Sequence, residues 1–261
     1  SYHGSTHGAL SLMSEERFKQ PFSPLLPRIR HIRFGNIDDL DLINRQTACV
    51  VIEPVQGEAG IRTASVSYFK KLAETCKNTE TLLILDEIQT GFGRTGKFFA
   101  FEDFEIVPDI LVCAKGMGGG MPIGAFISSK EIMGSFKNNP VLGHITTFGG
   151  HTVCCAASLA TIEVIEKEKL LSEVAEKEAL FRKFLVSPAI KEIRSKGLMM
   201  AVEFDSYDTL KKIIDRSIEN GVITDWFLHC NNSMRIAPPL TITLSQIEES
   251  CEVILRTIKG L

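Results

Sequence analysis

Three apolar runs constrain this chain most: Ala48–Glu53, Leu82–Asp86 and Ile110–Lys115 each have the length of a fully buried strand, and each ends in an ionisable residue. Between the first two, Val66–Lys77 places Phe69, Leu72, Ala73 and Cys76 on one helical face, so strand, helix and strand follow in βαβ order. The expected class is therefore α/β with a largely parallel sheet. In such sheets ligands gather beyond the carboxyl ends of the strands, which would bring Glu53, Asp86 and Lys115 to one site.

The chemistry excludes as much as it suggests. Lysine and arginine total 29 against 32 acidic residues, a net charge of -3, so no broad basic surface is present for a nucleic acid partner. The seven cysteines show neither Cys-x-x-Cys pairs nor zinc-finger spacing, and they read as reduced thiols of a cytoplasmic protein with no metal site. No stretch approaches the ~18 apolar residues of a membrane-spanning helix, so a soluble chain without a membrane partner is expected.

Beyond Gly149-Gly150, residues Val153–Lys169 have helical periodicity and grade into a Glu/Lys-rich segment reaching Leu185, which reads as a connecting helix. After Pro188 the pattern predicts a short helix, a strand over Gly197–Phe204, a helix over Thr209–Asn220, short strands over Val222–His229 and Met234–Ala237, and a terminal helix from Ser245. Two domains are expected, a larger one over 1–167 and a smaller α+β one over 168–261.

Several motifs carry chemistry. Gly91-Phe-Gly-Arg-Thr-Gly96-Lys97 has the spacing of a phosphate loop beside an acidic strand end, which opens an ATPase reading. Phe98 stands where a magnesium-binding hydroxyl belongs, however, and the loop follows the acidic strand directly, so a tight glycine-rich turn accounts for it better. Gly116-Met-Gly-Gly-Gly-Met-Pro122 lacks dinucleotide spacing, but its glycines allow close backbone approach directly after Lys115. A lysine at the edge of an apolar core is pushed toward its neutral, nucleophilic form. A lysine and a carboxylate on neighbouring strand ends, Lys115 and Asp86, are what pyridoxal phosphate chemistry requires: one joins the aldehyde, the other keeps the pyridine nitrogen protonated.

Glu53-Pro-Val-Gln-Gly-Glu58-Ala-Gly, Leu85-Asp86-Glu-Ile-Gln89-Thr-Gly-Phe-Gly-Arg-Thr-Gly96, Ala114-Lys115-Gly, Pro122-Ile-Gly-Ala and Thr146-Thr147-Phe-Gly-Gly together resemble the class III, or ω-amino acid, aminotransferases, the group that includes ornithine, acetylornithine and 4-aminobutyrate aminotransferases. The resemblance runs in order along the whole chain. It implies fold type I, with a large cofactor domain and a small C-terminal domain, and pyridoxal 5'-phosphate as cofactor. By motif position it makes Lys115 the Schiff-base lysine and the acid/base at the substrate carbon, and Asp86 the partner of the pyridinium nitrogen. Gln89 falls near the phenolic oxygen, Ile88 against one ring face and Tyr2 against the other. Thr147 reaches the phosphate of a neighbouring subunit, which implies a homodimer with shared sites, and Thr146 lines the substrate channel. The resemblance also implies that Arg235 takes a substrate carboxylate and that Glu58 pairs with it as a gate.

The resemblance implies transfer of an amino group from an ω-amine or amino acid to a 2-oxo acid such as 2-oxoglutarate, by a ping-pong route. A racemase, aminomutase or decarboxylase of the same fold is the alternative, since Lys115 and Asp86 serve all of these. Two positions depart from the family pattern: Ser5 stands where ornithine-type enzymes carry a carboxylate-binding arginine, and His151 where relatives often carry asparagine. Family members also begin well upstream with a glycine-containing phosphate loop, so the chain is expected to be the C-terminal portion of a longer enzyme.

Overall fold

The computed structural model describes residues 1–260. Two single turns, α1 (His7–Ser11) and α2 (Glu16–Lys19), precede the first sheet. That sheet grows from β1 (Cys49–Ile52), a small hairpin of β2 (Val55–Gln56) and β3 (Arg62–Thr63) that follows it, the crossover helix α3 (Val66–Thr79), then β4 (Leu82–Asp86), β5 (Ile110–Cys113) and β6 (Ala125–Ser128). Its order is β1-β4-β5-β6, with the first three strands parallel and β6 antiparallel. Helix α3 starts where the Ser65 hydroxyl accepts the Tyr68 N–H, and it stops at Glu80, whose φ of 58° is left-handed. Its buried face of Tyr68, Phe69, Leu72 and Cys76 lies on the sheet beside Phe104, whose ring centroid is 4.0 Å from that of Phe69.

Because β1, β4 and β5 are parallel neighbours, their carboxyl ends share one edge, and Glu53, Asp86 and Lys115 follow from that register. The antiparallel β6 is not legible as a strand in the sequence. It pairs Ile110 with Ser128 and closes the sheet on the side of β5.

After the short helix α4 (Lys130–Gly134), α5 (Thr152–Lys167) leads to the second unit. The expected continuous run to Leu185 is broken: Lys169 takes a φ of 53°, the chain makes a 3-10 turn over Leu170–Glu173, and α6 (Val174–Phe184) starts anew. The short helix expected after Pro188 is instead a strand, β7 (Glu192–Lys196), paired antiparallel with β8 (Met199–Glu203). Their two-residue connection contains Gly197 at φ +60°, and the pairing satisfies backbone groups that a helix would have bonded locally. Helix α7 (Tyr207–Glu219), β9 (Asp225–Phe227), β10 (Cys230–Ile236) and α8 (Leu244–Lys259) complete the unit, with sheet order β7-β8-β10-β9.

Strand β8 explains how the units meet. Met200 and Val202 face the core made with α6, α7 and α8, while Met199 and Ala201 face the other way and pack with Val55, Ile61 and Phe227. The strand is apolar on both faces because both faces are covered. No helix among the described residues is long and apolar enough to cross a membrane.

Candidate functional site

The shared edge of the first sheet is lined with held carboxylates. Asp86, the last residue of β4, accepts the Ile88 N–H on Oδ1 at 3.0 Å, while its Oδ2 lies 2.8 Å from His3 Nδ1. Both side chains of this pair are buried, and 83 residues of chain separate them. Glu53 accepts the Gly57 N–H at 3.0 Å and the Tyr2 N–H at 3.3 Å. Burial pushes the Glu53 carboxyl above its usual range, against the opposing pull of the Gly57 N–H and of His3.

Lys115 sits just past β5, at the first residue of a 3-10 turn and at a φ of 47°. This left-handed backbone carries a conformational cost of about 1 kcal/mol or more. The side chain keeps solvent access, yet the protein around its amine desolvates it enough to lower its pKa from the ordinary lysine value. Glu58 opposes that shift, Arg235 adds to it, and Asp86 and Glu53 oppose it more weakly.

Glu58 is the hub between the units. Its Oε2 accepts Arg235 Nη2 at 2.6 Å and the Leu228 N–H at 3.1 Å; its Oε1 accepts Gln89 Nε2 at 3.3 Å. Burial alone would raise this carboxyl, but the Arg235 charge and these hydrogen bonds outweigh it and hold it below the usual range. Arg235 stacks its guanidinium 4.7 Å from the Phe227 ring centroid, and its buried Nε has no partner among the described residues. Gly57 leaves room for the Gln89 amide: a Cβ there would come within 2.7 Å of Gln89 Oε1 and push that side chain aside.

A cavity of about 870 Å³ opens between the two units. Ile88, Gln89, Lys115 and Arg235 line it together with Arg94 and an apolar wall from α5. The structure thus brings five expected residues, Lys115, Ile88, Gln89, Glu58 and Arg235, into one contact network or cavity wall, with Asp86 at the adjoining strand end. Tyr2 is half-buried beside Glu53. Thr146 and Thr147 are exposed and do not line the cavity. Gly91–Lys97 forms a succession of turns followed by a 3-10 turn over Ala100–Phe104, so no helix begins behind it to complete a phosphate loop. Sequence reasoning missed His3 and Arg94. The only signals were that His3 adjoins the aromatic Tyr2, and that Arg94 interrupts a glycine-rich turn with a long cation.

The site is thus a sheet with an amine and a carboxylate at neighbouring strand ends, closed by a second α+β unit that carries an arginine. The family model for class III aminotransferases matches residues 1–258, and the chain belongs to that family, with its fold type I architecture. An ornithine aminotransferase from Toxoplasma gondii, whose structure shows partial occupancy of pyridoxal phosphate at its active site, superposes with a TM-score of 0.91 at 32% identity. The match covers 100% of this chain and 62% of that one, so this chain spans less than two thirds of its relative's length. A Bacillus anthracis aminotransferase matches with a TM-score of 0.92 at 26% identity, over 100% of this chain and 68% of that one. Ornithine δ-aminotransferase of Plasmodium falciparum matches with a TM-score of 0.81 at 32% identity, over 92% of this chain and 62% of that one.

Proposed function

We propose that this chain forms the catalytic part of a pyridoxal phosphate-dependent aminotransferase, moving an amino group from an ω-amine or amino acid donor of the ornithine, acetylornithine or 4-aminobutyrate type to a 2-oxo acid such as 2-oxoglutarate. The observation that carries this reading is the placement of Lys115 and Asp86 at adjacent parallel strand ends, the amine desolvated and the carboxylate oriented by two donors. The residues present fit the cofactor. Lys115 would hold its aldehyde, Asp86 its ring nitrogen and Gln89 its phenolic oxygen, with Ile88 and Tyr2 at the ring faces and Thr147 at the phosphate of a neighbouring subunit. When bound, pyridoxal phosphate supplies an electron sink for the bond broken at the substrate carbon.

The chain's own residues do the rest. Lys115 Nζ holds and returns the proton at the substrate carbon, a role that its lowered pKa favours by enlarging the neutral fraction near neutrality. Arg235 receives a substrate carboxylate in a two-pronged contact, and Glu58 takes its place when the donor brings no carboxylate there, so one pocket serves both halves of a ping-pong exchange. The apolar, strongly exposed side chains Val141, Leu142, Ile145 and Phe148 surround Thr146 and Thr147, which supports a homodimer with shared sites. The two main cores, one reaching Leu170 and the other starting at Val174, with a small cluster of Val55, Ile61, Met199, Ala201 and Phe227 joining them, support two domains dividing close to the expected boundary of 1–167 and 168–261. Seven free thiols support a cytoplasmic location.

The test uses the complete enzyme with a panel of donors and 2-oxoglutarate, following glutamate. Glutamate formation that Lys115→Ala abolishes is expected, as is a borohydride-fixed adduct on the Lys115 peptide after loading. Substrates that only racemise or lose carbon dioxide would overturn the transferase reading.

A further inference from the structure

Arg94 is the cation that the proposed chemistry leaves unused. It rises from the glycine-rich turn after β4 and lines the same cavity as Lys115 and Arg235. Its Nη1 donates to two carbonyls of the second unit, Leu198 at 3.3 Å and Pro238 in a shorter contact. Its Nε and Nη2 have no partner among the described residues, and neither is sealed off in the way Arg235 Nε is. No carboxylate lies within ion-pair distance of it among the described residues, whereas Arg235 is already paired with Glu58.

The cavity wall sharpens the contrast. It carries three cationic side chains, Arg94, Lys115 and Arg235, and no aspartate or glutamate. A guanidinium is charged at any working pH, and one held among protein atoms without a counter-ion makes an unusually strong positive site. An anion reaching Arg94 displaces no existing ion pair, while a two-pronged contact on Arg235 that uses Nη2 must first displace Glu58. Two carbonyl bonds on Nη1 fix the plane of the fork, leaving the Nε and Nη2 edge in the geometry that a carboxylate accepts.

We propose that Arg94 is a second carboxylate-binding residue of this site and that, with Arg235, it selects dicarboxylate 2-oxo acids over monocarboxylates as amino acceptors. The inference rests on the aminotransferase reading for its reaction, but not for its binding. The complete wild-type enzyme and Arg94→Gln are titrated calorimetrically with glutarate and with butyrate, a dicarboxylate and a monocarboxylate that cannot react. Michaelis constants are then measured for 2-oxoglutarate and pyruvate, with melting temperatures alongside. Arg94→Gln should weaken glutarate and raise the 2-oxoglutarate constant tenfold or more, leaving butyrate and pyruvate within twofold.

Equal losses for mono- and dicarboxylates, or a lower melting temperature with unchanged selectivity, would show that Arg94 is only a bracket between the units and overturn the proposal. Should Arg94→Gln not fold, Arg94→Lys retains a donor for the carbonyls and loses the fork. A threefold or greater loss confined to dicarboxylates is then expected, and no selective loss refutes the proposal. Glutarate that binds through Arg94 in an enzyme forming no glutamate would remove the aminotransferase reading and leave the carboxylate site standing.

Discussion

Replacing Glu58 with glutamine tests the electrostatic hub with almost no change of shape. The carboxylate has a side chain only 10% exposed and accepts two short bonds on one oxygen, from Arg235 at 2.6 Å and from the Leu228 N–H at 3.1 Å. A bond to a charged acceptor contributes about 1.5–3 kcal/mol and a neutral one about 0.5–1.5 kcal/mol. Losing the charge should therefore cost about 2–3 kcal/mol, with the Arg235 cation left uncompensated at the margin of the cavity. For a chain of this length the melting temperature should fall by about 4–8 °C at pH 7.

The pH dependence fixes the cause. Glu58 is held below its ordinary range in the folded state, so its stabilising contribution is complete above the unfolded value of about 4.3 and disappears as pH falls through the folded value. The gap between wild type and Glu58→Gln should be full at pH 7 and shrink below about pH 4. Differential scanning calorimetry across that range decides the matter: equal melting temperatures at pH 7, or a gap that persists unchanged into acid, would refute the assignment of Glu58 as a charged, paired hub.

His3→Ala should leave buried Asp86 Oδ2 without its donor, costing about 1.5–3 kcal/mol and weakening pyridoxal phosphate loading, while His3→Asn recovers part of both; a titration showing wild-type cofactor affinity in His3→Ala would dismiss the contact as incidental. Gly197→Ala introduces a Cβ at φ +60° within 2.6 Å of the Arg94 carbonyl oxygen and 2.7 Å of Thr95 backbone atoms. Overpacking against backbone should lower stability by about 2–4 kcal/mol in urea unfolding, and a variant as stable as wild type would mean that the two units do not touch there.

What the sequence reveals and what it conceals follows from where each bond is made. Strands β4 and β5 announce themselves because they lie inside the sheet, and β1, although at its edge with Cys49 exposed, shares their apolar run; all three runs are bounded by charges at the sheet's carboxyl end. Strand β7 does not: Lys191–Lys196 mixes charges with single apolar residues, and only pairing with β8 makes it extended. The break at Lys169 is equally silent, since a lysine carries no local preference for left-handed backbone. The same division holds at the site. Lys115, Asp86, Gln89, Glu58 and Arg235 sit in short stretches of contiguous sequence that resemble the class III aminotransferases, so they could be named before any geometry was known. His3 could not, because its meaning lies in a partner 83 residues away, and Arg94 was masked by the glycines around it.

Part-buried polar bonds tie the two units together at and around the cavity. Glu58 holds Leu228 and Arg235, Arg94 holds Leu198 and Pro238, and Arg194 Nε reaches back to the Gly60 carbonyl at 2.7 Å. A gate built from such bonds works only if opening it is cheap. Taking Glu58 from Arg235 outright would strand two desolvated charges, at about 3–5 kcal/mol. In the proposed gate an incoming carboxylate would change that balance: it would replace Glu58 on the guanidinium, with the Leu228 N–H and Gln89 left as donors to Glu58. One anion is exchanged for another on the same cation. Arg94, with no ion pair to surrender, is the anchor we propose for the second carboxylate of a dicarboxylate, and preference between acceptors would then follow from which of the two guanidinium groups is already occupied.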